Sequence, residues 1–416
     1  MCYLCIMRRL LVILLLLAPL LAIAQKLIVS GTVADERTGD RLPQATVSVD
    51  AAHTSVVTND EGFFTLKLDS LPPSISISHL GYESQLLRIG PASRQPLDIR
   101  LRPTSIPLHE IMVWTEDARR LIDIAISKIP LNYSSQAERF TCFYRETAMK
   151  RQHYIYVAEG VVDMYKTPYD RQNTLRDRVA IAKGRRLVSP KQGDTLSIKV
   201  MGGPLLPVQL DLVKNLDFLL NASDLDNYNF RLEVPTTIDS RLQYVVSIEP
   251  RREQPYALYH GRFYIDRETL AFTRAELSLD MTDREKATRY MLVSKPTGVR
   301  FRPRELTTLV DYRQEDGVTR ISYVRNTFRF NCDWRRRLFA TSFTACCEMV
   351  VTGHTAHGAR PIKGRDSFDQ RDAFYDRVDY FRDANFWQDY NILEPTETLD
   401  RAIDKLLKKH RQRTNP

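Results

Sequence analysis

The stretch VRFRPRELTTLVDYRQEDGVTRISYVRNTFRF, residues 299–330, decides the fold. Two strand patterns, 299–313 and 317–331, flank Glu315-Asp316-Gly317. An Asp-Gly pair between alternating runs marks a tight hairpin, because both turn positions need positive φ. A turn that short forces the two strands to pair antiparallel. The same reading extends outward. Upstream lie strand patterns at 228–234, 241–249, 256–266, 270–281 and 287–294, and downstream one at 338–352. Asp239-Ser240, Asp266-Arg267-Glu268 and Pro296-Thr297-Gly298 separate them. Before them, Arg139 to Glu146 alternates, and Tyr154 to Tyr165 is a longer pattern with Gly160 read as a bulge. Nine or ten consecutive strands of this kind predict a strongly curved antiparallel sheet or open half-barrel.

Helices punctuate it. Ala118, Leu121, Ile122, Ala125 and Ile129 form one helical stripe, with Thr115 as cap, Glu116 and Asp117 in the first turn, and Pro130 as terminator. A short helix is expected within 209–220. A closing helix is expected from Pro395, with Leu399, Ala402, Ile403, Leu406 and Leu407 packed across the sheet and Lys408, Lys409, His410 and Arg411 at its negative end.

Residues 26–102 read differently. Leu27 to Val33 is a strand. Ala45, Val47 and Val49 alternate with polar residues, Asn59-Asp60-Glu61-Gly62 is a tight turn, and Phe63 to Leu68 runs out of it. Val56 and Val57 begin another strand pattern before that turn, Ile75 and Ile77 alternate with serines after it, Gly81-Tyr82 follows, and Leu97, Ile99 and Leu101 alternate with polar residues. About seven short strands in so small a span are the signature of a β-sandwich. The residues Gly31-Thr32-Val33-x-Asp35, Thr38-Gly39, Leu42-Pro43-x-Ala45-x-Val47-x-Val49, Thr58-x-Asp60-x-Gly62-x-Phe64, Gly81-Tyr82 and Ile99-x-Leu101 together resemble the carboxypeptidase-regulatory-like domain. That domain is a transthyretin-like sandwich common in exported proteins of Bacteroidetes-like bacteria. The resemblance implies a non-catalytic accessory module. It follows a zinc peptidase in eukaryotic carboxypeptidases and often precedes the plug of bacterial outer-membrane receptors.

Neither context transfers as an activity. A zinc carboxypeptidase needs a His-x-x-Glu pair, and none of the eight histidines has Glu three residues later. Ile106 to Val113 resembles the linker to a receptor plug, but the residues after it are too few for plug and barrel together. No G-x-S-x-G elbow, Walker loop or dinucleotide glycine pattern occurs. His354 and His357 share a loop, but no carboxylate or third ligand is spaced to join them, so no metal, cofactor or catalytic residue is assigned. Arg145 and Glu146 are adjacent on a strand, so at most one is expected to point into the core, as an internal ion pair or a ligand clamp.

The hairpin Gly261-x-Phe263-Tyr264-Ile265-Asp266-x-Glu268-Thr269-Leu270-Ala271 resembles one in exported half-barrel proteins that handle lipids or lipoproteins. Phe143-Tyr144-Arg145-Glu146 and Phe386-Trp387-x-x-Tyr390-Asn391-Ile392 resemble uncharacterised exported proteins carrying the same N-terminal domain.

Compartment follows from residues 1–24. Arg8 and Arg9 precede an apolar run, and Ala22-Ile23-Ala24 is a small-x-small cleavage site, the pattern of a secretory signal peptide. No later segment reaches the roughly 18 apolar residues of a membrane helix. At 43% hydrophobic and 27% charged, the 416 residues are neither fibrous nor wholly disordered. Removing Arg8 and Arg9 lowers the formal charge from +9 to +7, and that surplus is scattered in runs such as Arg185-Arg186 and Arg335-Arg336-Arg337. Export disfavours nucleic acid as the partner. Cys142, Cys332, Cys346 and Cys347 remain, with their pairing open; no CxxC occurs among them, and at least two are expected to be buried as small apolar residues.

The expectation is therefore a signal peptide at 1–24, a seven-stranded sandwich at 26–102, a linker at 103–115 and a β-rich domain with flanking helices at 116–416. It is exported to the periplasm or outer-membrane surface and acts without catalysis. It holds an envelope protein, an apolar, lipid-like ligand or a glycan. An accessory of a receptor system and an envelope hydrolase with a site of scattered carboxylates are the alternatives. Three metal-ready side chains, or a nucleophile–base couple in a pocket, would count against a binding role.

Overall fold

The computed structural model describes residues 26–90, 93, 95–105, 117–191, 202–291, 298–334, 340–355, 358–380 and 386–414. The leader at 1–24, most of the 103–115 linker, Thr115, Glu116, His357 and Arg335-Arg336-Arg337 lie outside the described residues. Strand makes up 48% and helix 17%, so the chain is mainly β, and no closed barrel forms among the described residues.

The N-terminal unit contains β1 (Leu27–Asp35), β2 (Thr46–Val49), β3 (Thr54–Val57), β4 (Phe63–Leu68), β5 (Ser74–Ser78), β6 (Gln85–Arg88) and β7 (Leu97–Leu101). One layer is β4-β1-β7, the other β3-β2-β5-β6. Alternation decides the packing: Val29 and Val33, Val47 and Val49, Phe64 and Leu66, Ile75 and Ile77, and Ile99 and Leu101 fill one buried core. The motif residues are turn clips. Asp35 accepts the Arg37 and Thr38 amides and the Tyr82 phenol, and Asn59 accepts the Glu61 and Phe63 amides. Gly62 has φ 70°, as the turn requires.

The helix α1 (Ala118–Ser127) follows, capped by Asp117, whose side chain accepts the Arg119 amide. Its buried residues are the stripe read from sequence. Pro130 does not simply end it but sits in the first turn of a second short helix, α2 (Ile129–Asn132). Next come β8 (Glu138–Lys150), β9 (His153–Lys166), β10 (Arg178–Val188), α3 (Leu205–Gln209), α4 (Ala222–Leu225), β11 (Tyr228–Leu232), β12 (Thr236–Ile238), β13 (Arg241–Pro250), β14 (Tyr259–Asp266), β15 (Phe272–Leu279), α5 (Arg284–Met291), β16 (Val299–Glu315), β17 (Val318–Trp334), β18 (Thr341–Thr355), β19 (Asp379–Tyr380) and α6 (Glu397–Thr414).

The meander β13-β14-β15-β16-β17-β18 is antiparallel, and β18 continues into β8-β9-β10. Past the end of β17, β18 also meets β3 through Gly353 and Thr54, which fuses one sandwich layer onto the large sheet. One face of the sheet is covered by α1, α5 and the 205–225 segment over a single apolar core containing Phe140, Tyr144, Phe263, Phe272 and Met349. On the other face α6 packs Leu399, Ile403 and Leu406 on Val157 of β9 and Leu187 of β10, as expected of the closing helix, and the face is open over β14 to β18.

Four expectations need correction. The described part of the expected strand at 287–294, residues 287–291, is helical: Asp283 accepts the Glu285 and Lys286 amides and caps α5, a signal that outweighs the apolar residues, and 292–294 lie outside the described residues. The run 209–220 is not one helix: α3 ends at Gln209 and a single 3-10 turn forms at Leu216–Phe218, because Asp211 between them is drawn into the core, 2.7 Å from Lys166 and bonded to the Tyr169 and Tyr312 hydroxyls. Gly160 is no bulge; it pairs in register with Tyr144 and Gly184, and a Cβ there would lie 2.7 Å from the Phe374 ring. The strand β10, overlooked behind its basic residues, is held on both edges, by β9 and by β19.

Both Arg145 and Glu146 are buried, on opposite faces. This is possible because residues 386–393 strap across the open face of β8, β9 and β10. Glu159 sits under the strap, 2.8 Å from Arg145, 3.0 Å from Arg185 and 3.1 Å from the Trp387 indole nitrogen. Arg145 also donates to the Leu393 carbonyl at 2.6 Å. Burial alone would raise the Glu159 carboxyl, but the two guanidiniums and the indole N–H outweigh it and hold it below its ordinary value. Replacing Glu159 by Gln leaves Arg145 as an uncompensated buried charge. The expected cost is about 3–5 kcal/mol of unfolding free energy, measured by urea denaturation; a change near zero would show that the strap is held by packing alone.

Candidate binding groove and junction cluster

The open face carries a groove of about 880 Å³. Its floor is made of alternate residues from neighbouring strands, because side chains at i and i+2 share a face. Arg262 comes from β14, Arg274 and Glu276 from β15, Glu305 and Thr307 from β16, Arg325, Thr327 and Arg329 from β17, and Cys346 and Glu348 from β18. The sandwich loop Thr58–Asp60 and the strap at Leu393–Thr396 wall one end.

The floor is charged and largely paired within itself. Arg329 meets Glu305 at 3.1 Å, Arg325 meets Asp60 of the sandwich at 3.0 Å, and Arg274 meets Glu276 at 2.8 Å and Asp311 at 3.1 Å. Glu348 accepts the Tyr323 hydroxyl at 2.8 Å. The lining holds six arginines against seven carboxylates, so the groove has alternating sign and almost no net charge. Burial pushes the Asp311 carboxyl up to about 6 despite Arg274, and burial beside Glu348 raises the Cys346 thiol to about 12, far from a reactive thiolate.

Cys346 and Cys347 face opposite sides, as alternation predicts, and Cys142, Cys332, Cys346 and Cys347 are free thiols, three of them fully buried. The described histidines that make polar contacts meet the Pro43 carbonyl, for His79, and Glu315, for His53 and His354.

That last contact corrects the sequence reading of His354. Spacing along the chain offered it no carboxylate, but the fold brings two distant residues to it. Glu315 ends β16, and His53 closes the turn between β2 and β3 with φ 46°. Glu315 Oε2 lies 3.3 Å from His354 Nδ1 and 3.8 Å from His53 Nδ1. Burial, then Arg320, lowers the His354 imidazole to about 4. Nothing in the local sequence of any of the three residues signals this convergence; only the β18–β3 junction produces it. The groove was partly signalled. In 317–331 the odd positions Tyr323, Arg325, Thr327 and Arg329 oppose the apolar Val324, Phe328 and Phe330, which is an open polar face written as alternation.

On the covered face, Glu146 lies fully buried between the Tyr144 and Tyr156 hydroxyls, both at 2.7 Å. Burial raises its carboxyl from 4.5 to about 7, although the two phenols oppose the shift. A raised folded-state value means that the fold favours the protonated acid. Its contribution is fully present below about 4.5 and is lost as pH rises through 7. Relative to Glu146→Gln, the parent is expected to lose stability between pH 4.5 and 8, by at most about 3 kcal/mol. Urea unfolding of both proteins across that window checks it, and a constant difference would refute it.

No curated protein matches the chain in sequence. Several solved structures overlap it in part, among them the following three. A DUF1329 family protein from Desulfovibrio piger ATCC 29098 is 13% identical over 59% of this chain and 95% of its own, with TM-score 0.26. A putative outer membrane lipoprotein-sorting protein domain from Vibrio parahaemolyticus is 10% identical over 60% and 97%, TM-score 0.26. MucB in complex with MucA is 13% identical over 58% and 100%, TM-score 0.20. Overlaps at these TM-scores do not establish a shared fold. The N-terminal unit is firmer: residues 29–113 match the family model of the CarboxypepD_reg-like domain, so the sandwich that opens the chain is a domain of that family.

Proposed function

We propose that the protein is a non-catalytic binding protein of the cell envelope, whose groove receives a segment of another protein carrying charges of both signs. The groove floor carries this reading. Its ion pairs alternate in sign, which suits a partner of complementary alternating charge and fixes its register more than it attracts any polyanion. A volume of about 880 Å³ is within the range of ligand sites. An acyl chain would have to strip Arg329, Glu305, Arg325 and Glu348 of water without replacing their hydrogen bonds, a cost of several kcal/mol. The protein occupant is therefore favoured over the apolar, lipid-like one and over a glycan, since the lining offers a sugar face few aromatic platforms, Tyr154, Tyr323 and the His260 imidazole. Envelope placement rests on the leader pattern at 1–24 and on the module type at 29–113. Among the described residues no helix is long and apolar enough to cross a membrane.

The test is a photo-reactive residue at Thr327, mid-floor, in the full chain in its native envelope. The expected result is a covalent adduct with one envelope protein. Exchanging a pair, Arg329→Glu with Glu305→Arg, keeps the local salt bridge but inverts the pattern shown to the partner. The adduct should fall at least about tenfold, given the several-kcal/mol penalty of like charges brought together. Labelling of lipid alone, or a protein adduct that survives the exchange, would overturn the reading.

A further inference from the structure

The junction between sandwich and sheet holds three side chains from three remote parts of the chain. His53 and His354 present nitrogens, and Glu315 presents an oxygen, all lying within 4.8 Å of one another. The two imidazole rings meet edge to face, with centroids 4.7 Å apart. A tetrahedral zinc ion with bonds of about 2.0–2.1 Å separates its ligand atoms by about 3.3–3.5 Å. The spacings here, 3.3 Å from Glu315 Oε2 to His354 Nδ1 and 3.8 Å to His53 Nδ1, already approach that value.

Two further observations point the same way. Glu315 Oε2, the atom on which both imidazoles converge, is buried and has no hydrogen-bond partner. A buried carboxylate oxygen left unmatched is costly, and a cation would satisfy it. Beside the three side chains lies a cavity of about 20 Å³, lined by His53, Glu315 and His354. That is room for one water molecule, the usual fourth ligand of a three-residue zinc site, and no room for a substrate.

The surroundings support the carboxylate. Arg313 bonds the other oxygen of Glu315, Oε1, and orients it as an outer-shell partner does. The neighbouring positive charges are matched: Arg313 lies 3.3 Å from Asp50, and Arg320 lies 2.8 Å from Glu138. Two guanidiniums against Asp50, Glu138 and Glu315 leave the cluster at −1, so a divalent ion brings it to +1. Two imidazoles and one carboxylate select zinc over calcium or magnesium, which prefer oxygen throughout.

We propose that His53, Glu315 and His354 bind one Zn²⁺, which clamps the CarboxypepD_reg-like domain to the end of β18. The clamp is structural: it closes the gap where β3 pairs with β18 by a single residue pair, and although three metal-ready side chains count against a binding role, a site with room for one water and none for a substrate leaves the reading of the groove standing.

The test is zinc titration of the untagged full chain carrying Cys2→Ser and Cys5→Ser, which removes a competing thiol pair. Calorimetry is expected to give one Zn²⁺ per chain, and Tm should rise with zinc concentration, because the ion binds the folded state. His53 is partly exposed, so His53→Ala keeps the fold, checked by circular dichroism. His53→Ala and Glu315→Gln should each weaken binding at least about tenfold, the scale on which even outer-shell partners act. Cobalt substitution should give the visible spectrum of a tetrahedral nitrogen–oxygen site in the parent and lose it in either variant. Absence of a stoichiometric zinc site in the parent, or unchanged zinc affinity in His53→Ala, would overturn the proposal.

Discussion

A single buried carboxylate, Glu159, ties β8, β10 and the 386–393 strap to β9. It stands mid-strand on β9, faces the side of the sheet that carries the groove, and is 2% exposed as a side chain. Burying it is tolerable only because Arg145, Arg185 and the Trp387 indole surround it, and the same contacts bring residues 386–393 down onto β8 and β10. Phe143 then packs edge to face on Trp387, and Val57 of the sandwich joins the same apolar cluster. Asn391 exchanges hydrogen bonds with the Lys67 backbone on β4. One ion cluster thus holds the strap, and the strap holds the sandwich.

The groove is what the strap leaves uncovered. The two faces of the sheet follow opposite rules because one is packed under α1, α5 and the 205–225 segment while the other meets water. Charges survive on the open face as ion pairs whose partners sit on the same strand, on the next strand or on the sandwich loop, and such pairs contribute little to stability when exposed. Their value lies in the pattern they show to a partner. A side chain such as Cys346, one residue from the fully buried Cys347, belongs to the groove only because strand alternation carries it across the sheet.

The elements legible in the sequence were those whose signals are local. The hairpin at Asp316-Gly317, the stripe of α1 and the seven strands of the sandwich each rest on periodicity or turn chemistry within about a dozen residues. The elements misread were those in which a distant partner overrules local preference. Asp211 and Lys214 leave a helical pattern for a buried network, and Gly160 serves the Phe374 ring and not a bulge. Arg185 and Arg186 looked like a solvated run, yet Arg185 pairs with Glu159 and Arg186 lies over Tyr375. The Phe143-Tyr144-Arg145-Glu146 and Phe386-Trp387 motifs were both visible, but not that they are partners.

By itself, the sequence determined that this chain is mainly β, that it begins with a CarboxypepD_reg-like sandwich after its leader pattern, and which face of the alternating strands is apolar. All of these follow from short-range alternation and steric turn preferences. Tertiary structure alone decided where the groove lies, that its floor is a mosaic of paired charges, and that His53, Glu315 and His354 meet. The cross-strand and sandwich pairs of the floor join residues 24 to 265 positions apart, and the junction joins residues about 40 to 300 apart; spacing along a chain carries no information about such contacts until strand order and register bring the segments together.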